Sequence, residues 1–143
     1  MPSFSIKSSS GTGELEFFGR DPLDTELPLE SFWVRLTDLN LSAANKVYGG
    51  YASDHPARLF VEMAALWRGW PDQLTWESLE GELKLSSTQD GTGHVSIRSE
   101  LRSGPMEQDW DAATTVMVDA GQLDRLARHA RSFFGKEGSY REE

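Results

Sequence analysis

LFVEMAALWRGWPDQLTWESLEGEL, residues 59–83, is where the chain changes its period, and the fold follows from how that change is read. Leu59, Phe60, Met63, Leu66 and Trp67 recur at offsets 0, 1, 4, 7 and 8, the spacing of one apolar helical stripe. Upstream, Ser53 or Asp54 can cap the helix, and Pro56 suits a first turn, where its missing N–H costs nothing. Gly69 stops the helix and Pro71 prevents it from resuming. The period then returns to two in LEGELKLSS (79–87). Trp67 belongs to the stripe and is expected in the core. Trp70 and Trp76 flank Pro71-Asp72 in the link. An indole buries a large area and still needs an N–H partner, so these two are read first as sealing a corner. The competing reading is an aromatic anchor for a binding partner.

Working outward, the segments before the helix read as strands. Phe4 and Ile6 alternate with polar residues, the Gly-rich SSSGTG (8–13) turns the chain, and ELEFF (14–18) follows. DPLDTELPLE (21–30), with two prolines and the carboxylates Asp21, Asp24, Glu26 and Glu30, reads as an exposed loop. SFWVRLTDL (31–39) puts Phe32, Val34 and Leu36 on one face. LSAANKVYGGY (41–51) puts Leu41, Ala43 and Val47 on one side and ends at Gly49-Gly50. After residue 87 come the DGTG turn (90–93), HVSIRSELR (94–102), a polar loop (103–109) and WDAATTVMVD (110–119). A capping box, Asp119 with Gln122, opens a last helix with the stripe Leu123, Leu126, Ala127, Ala130, Phe133 and Phe134. Gly135 closes it.

The order is therefore β-β-β-β-α-β-β-β-α. Short turns pair strands antiparallel, and two one-sided helices must bury their stripes. The expectation is an α+β fold: one antiparallel sheet of about seven strands with both helices on one face. At 143 residues this is one domain, 1–135, with a polar tail over 136–143.

Composition narrows the function. There are no cysteines, hence no disulfides and no thiolate metal sites. The N-terminal MPSFSIKSSSGTG has no apolar run like that of a signal peptide, and no stretch is long and apolar enough to span a bilayer, so a cytoplasmic protein is expected. The net charge is −9, from 23 acidic and 14 basic residues. That balance argues against nucleic acid and against anionic membranes, and favours a basic protein partner. The plainer reading of the acidity is solubility.

No catalytic or cofactor signature is present. DGTGH (90–94) leads into a strand rather than a helix, so it is a hairpin turn and not a phosphate cradle. His55, His94 and His129 have no metal-ligand spacing. His129, with Arg125, Arg128 and Arg131, complements the C-terminal dipole of the last helix. Glu77, Glu80 and Glu82 lie near the tryptophan corner, with Glu80 and Glu82 sharing a solvated strand face with Lys84. No serine sits in a G-x-S-x-G elbow. The face of the sheet turned from the helices is more telling. There the alternation points Trp33 outward with Arg35 and Thr37, together with Phe18, Tyr48 and Met117, and such apolar patches mark association surfaces.

WRGWPDQLTWESLEGELKLSSTQDGTGHVSIRSEL (67–101), followed by an alternating strand and GQLDRLARHARSFF (121–134), resembles an uncharacterised, mainly actinobacterial family of unknown function. The resemblance covers most of residues 14–134 and implies an intracellular bacterial protein. More distantly, the sequence of helix, L-x-G-x-L strand (79–83), D-G-x-G-H hairpin (90–94), strand and helix is similar to immunity proteins of the wall-associated-protein type. Those proteins neutralise polymorphic toxins, many of them basic nucleases.

These readings converge on a non-enzymatic protein-binding module, with an immunity-type inhibitor of a toxin as one form. It would need no cofactor and no metal. Its candidate contacts are Trp33, Trp70 and Trp76 as anchors, with Asp21, Asp24, Glu26 and Glu30 as an acidic rim. Two alternatives stand beside it. One is a small enzyme or ligand carrier with a pocket between sheet and helices, lined by His55, His94, Trp70 and carboxylates. The other is a structural homo-oligomer, such as a homodimer through the outer sheet face.

Overall fold

The computed structural model describes residues 2–48, 55–104 and 109–135. Eight strands and two helices follow one another as four strands, a helix, four strands and a helix. Strands β1 (Ser3–Lys7), β2 (Glu14–Asp21), β3 (Ser31–Asp38) and β4 (Leu41–Tyr48) form one antiparallel meander. Helix α1 (Ala57–Ala65) follows it. Strands β5 (Leu74–Glu77), β6 (Leu83–Gln89), β7 (His94–Arg102) and β8 (Asp111–Asp119) form a second meander. Helix α2 (Leu123–Phe134) ends the fold.

The α+β class and the two helices are as expected, but the single sheet of about seven strands is not. There are two four-stranded sheets. The additional strand is β5, LTWE, which lies inside the link read as a corner. It is only four residues long, yet Trp76 pairs with Leu85 and faces the core while Thr75 and Glu77 face solvent. Glu80 and Glu82, expected on a strand face with Lys84, lie in the turn before β6.

In the first sheet Phe4, Ile6, Leu15, Phe17, Phe32, Val34, Leu36 and Val47 are buried, following the period of two. Phe17 meets Phe134 of α2 edge-on at 5.2 Å, and Phe4 meets Phe60 of α1 at 5.3 Å. Phe32 and Phe134 lie 5.1 Å apart. Such edge-to-face pairs add to simple area burial. The second sheet contributes Leu83, Leu85, Val95, Ile97, Leu101, Val116 and Val118 to the same continuous hydrophobic cluster. Helix α1 packs on α2 and β5, α2 also packs on β1, and β8 touches β1 and β3. The helices therefore touch elements of both sheets rather than lying on one layer.

Two seams tie the sheets together. Ser9 N–H donates to the Met117 carbonyl at 2.7 Å, and Met117 N–H donates to Ser8 Oγ at 2.9 Å. At the other seam Asn45 Nδ2 donates to the Arg102 carbonyl at 2.7 Å.

Helix α2 matches its sequence pattern: all six residues of the stripe are buried. The Asp119–Gln122 capping box forms, with Asp119 N–H donating to Gln122 Oε1 at 2.9 Å, and a short 3₁₀ turn leads into α2. Helix α1 is shorter than its stripe. It ends at Ala65, so Leu66 is exposed and Trp67, expected in the core, is 53% exposed with Arg68 over its ring. One more hydrogen-bonded turn follows, with Gly69 N–H donating to the Leu66 carbonyl at 2.8 Å, and Gly69 at φ +134° then redirects the chain. The Ser53 or Asp54 cap, the Gly49-Gly50 strand end and the 136–143 tail fall outside the described residues.

Candidate interaction surface

The outer face of the first sheet carries an aromatic row. Cross-strand register places Phe18 beside Trp33 and Trp33 beside Lys46, with Glu16 beside Arg35 in the next row. The Phe18 and Trp33 rings stack at 6.2 Å with 26° between their planes. The Arg35 guanidinium lies 4.5 Å from the Phe18 ring centre and donates to Glu16 Oε1 at 2.9 Å. The Lys46 ammonium sits 5.3 Å from the ring of Tyr48, which is exposed. Cations laid on aromatic faces hold both in place while leaving them in contact with water.

A glycine shapes this row. Between Phe18 and Asp21 the register slips, so that Gly19 and Arg20 oppose Phe32 alone. Gly19 adopts φ +63°, and a Cβ there would stand 2.9 Å from Trp33 Cδ1. The indole therefore lies directly over bare backbone. The bulge also reverses the alternation, turning Arg20 inward where regular pairing would send it to solvent.

Arg20 is 2% exposed and spends its donors on backbone carbonyls. Nε donates to Phe133 O at 2.8 Å and Nη2 to Phe134 O at 3.0 Å, both at the C-terminus of α2. Nη2 also reaches Leu27 O at 3.0 Å, and Nη1 reaches Pro22 O and Asp24 O. A buried cation is tolerated when its hydrogen bonds are made, and helix C-terminal carbonyls favour positive charge. Loop 21–30 is thus fastened over the end of α2, with Leu29 buried and Asp21, Asp24, Glu26 and Glu30 exposed. Asp21 pairs with Ser31, the residue that also faces Tyr48, so the acidic loop borders the aromatic row. Sequence reasoning missed Arg20. A glycine inside a strand, in FFGRD, was the available signal of a bulge.

The remaining candidates lie elsewhere. Trp70 is 7% exposed and donates its indole N–H to Ser87 O at 3.1 Å, and Trp76 is 3% exposed in the core. Met117, expected with Phe18, Trp33 and Tyr48 on one sheet face, belongs to the second sheet. There it lies opposite Ser96, whose hydroxyl donates to its sulfur at 3.0 Å. The outer face of that sheet is charged rather than aromatic, with Glu77, Lys84, Arg98, Glu100 and Arg102 in adjacent rows.

His55 is buried with its ring 5.5 Å from that of Phe134, whereas His94 is exposed in the β6–β7 hairpin. His129 packs edge-on to Phe4 at 6.4 Å. The 90–93 turn is a hairpin with Gly91 and Gly93 at positive φ. Its Asp90 carboxylate is held well below the usual acid range, first by the Thr92 backbone N–H at 2.7 Å and then by the Thr92 side chain, with further bonds from His94. At the second seam a cleft of about 330 Å³ is lined by Tyr48, Glu80, Glu82, Arg102 and Ser103. Glu82 accepts from Ser78 Oγ at 2.7 Å there. Among the described residues no group of His, Asp and Glu could hold a metal ion, and no helix is long and apolar enough to cross a membrane.

No curated protein and no solved structure matches the chain. The model of DUF6228, a family of unknown function, matches residues 6–137. That span takes in all or part of every strand and both helices, and the chain belongs to this family.

Proposed function

We propose that the protein works by binding another protein, one with a basic surface, through the outer face of the first sheet. Trp33 is the anchor, and Asp21, Asp24, Glu26 and Glu30 form the rim. The observation that carries this reading is the pairing of a solvent-facing Trp33–Phe18 stack with an acidic loop that Arg20 fastens beside it. A rigid indole is a favoured hot-spot residue, and little entropy is lost when it is already held. The net charge of −9 would speed the encounter with a basic partner. Trp70 and Trp76 are buried, Trp76 within the second sheet and Trp70 bonded to it through Ser87, and they are left out of this docking surface. An immunity-type inhibitor of a basic toxin in a bacterial cytoplasm is the specific form we favour.

The test uses the full chain and a labelled deca-arginine peptide as the basic probe, read by fluorescence anisotropy at low and high salt. Trp33→Ser and, separately, Asp24→Asn with Glu26→Gln should each weaken binding roughly fivefold to tenfold. Equal affinity for wild type and Trp33→Ser would end the reading. Light scattering of the same samples addresses the homodimer: a dimer that Trp33→Ser dissociates would assign this face to a second copy instead.

A second reading, a small-ligand carrier, is favoured by the inner face of the second sheet. The Ser87, Ser99 and Thr114 hydroxyls and the Trp76 indole N–H are buried there, without a hydrogen-bond partner among the described residues. Ser99 and Thr114 face each other across β7 and β8. A small polar molecule released on denaturing the purified protein, identified by mass spectrometry, would support a carrier. Native and denatured masses that agree would remove it.

A further inference from the structure

We infer that Arg20 is the positioning residue of the acidic rim, presetting the loop that carries Asp24 and Glu26. The importance of this for function rests on the docking reading above; the positioning itself does not. Three carbonyls of the loop, those of Pro22, Asp24 and Leu27, and two of α2, those of Phe133 and Phe134, converge on one guanidinium. The loop's own hydrogen bonds are few: Leu27 N–H to Asp24 O at 3.1 Å, Glu26 N–H to Asp24 Oδ1 at 2.9 Å and Glu30 N–H to Asp21 O at 2.9 Å. Loop residues Leu23 and Leu27 are about half exposed, and among the loop's hydrophobic side chains only Leu29 is fully buried. Arginine suits this place and lysine does not. A planar fan of five N–H donors reaches carbonyls from two directions at once, whereas an ammonium has three donors at a single point.

Arg20→Lys preserves the net charge, and so separates geometry from electrostatics. Hydrogen exchange of the full-length variant should show the Glu26, Leu27 and Glu30 amides exchanging about tenfold faster, the loss of roughly one net hydrogen bond, with β2–β3 ladder amides unchanged. Deca-arginine should bind it several-fold more weakly although its charge is the same. Loop amides that keep their wild-type rates would overturn the inference. A loosened loop with unchanged affinity would uphold the positioning and overturn its importance for docking. If the wild type binds no deca-arginine, the docking reading falls, and the exchange rates alone then decide whether Arg20 positions the loop. Should Arg20→Lys fail to fold, native-state exchange of the wild type decides the same point. Leu27, Glu30 and the Gly135 amide, which donates to Arg131 O at 2.9 Å, should open with one shared free energy because they share one tie. Independent openings would contradict it.

Discussion

Replacing Trp67 and Trp76 one at a time by alanine tests where α1 ends and what β5 buries. Trp76 is 3% exposed and pairs with Leu85 inside the second sheet. A buried indole removes roughly 150–250 Å² from water, worth about 4–6 kcal/mol at about 25 cal/mol per Å². Measured Trp-to-Ala losses in cores, about 3–5 kcal/mol, agree with that scale. Trp67 is 53% exposed, so by the same arithmetic it contributes roughly 2–3 kcal/mol at most. The true figure is lower, because the unfolded chain already shields part of the ring and no closed cavity is left behind. The two variants should therefore differ by about 2–3 kcal/mol. For a chain of this length, at about 2–4 °C per kcal/mol, this separates their midpoints by roughly 4–12 °C. Thermal unfolding followed by circular dichroism, with urea titration to confirm that the transition stays two-state, is sufficient. If Trp67→Ala costs as much as Trp76→Ala, the helical stripe continues into the core and this account of the link is wrong.

Two further perturbations probe local geometry. Gly19→Ala places a side chain at φ +63° and within 2.9 Å of Trp33 Cδ1, so it should cost about 1–2 kcal/mol and displace the indole. An unshifted Trp33 indole N–H resonance in that variant would refute the close approach. Asp90 has a depressed folded pKa, so its contribution to stability is complete above its ordinary value of 3.8 and is lost as pH falls through the lower folded value. A carboxyl-carbon NMR titration should keep Asp90 ionised well below pH 3.8, and Asp90→Asn should abolish that part of the acid dependence. A midpoint near 3.8 would mean that the Thr92 and His94 hydrogen bonds do not persist in solution.

Much of the fold was legible because burial follows period. The α2 stripe, the inward set Phe32, Val34 and Leu36, and the hairpin at 90–93 all follow from spacing and turn chemistry. What periodicity does not encode is which strands pair once a helix has intervened. Spacing alone therefore lets two meanders pass for one sheet, and it puts Met117 on a face that it does not share. Strand β5 offers two alternations, too short a signal beside Gly69 and Pro71. Trp67 shows the opposite failure, because the helical spacing persists for two residues beyond the helix itself. Of the candidate surface, the outward Trp33 and the exposed acidic loop were readable. The inward turn of Arg20 was not, since it depends on a one-residue bulge and on carbonyls from the far end of the chain.

The docking surface is tested most directly by titrating unlabelled deca-arginine into the isotope-labelled full chain and following amide and indole resonances. The Trp33 indole N–H and the amides of residues 21–30 should shift together and saturate. Those of Trp67, Trp110 and the charged outer face around Arg98 and Glu100 should stay in place. Shifts spread equally over both sheets, or a Trp33 resonance that never moves, would contradict it.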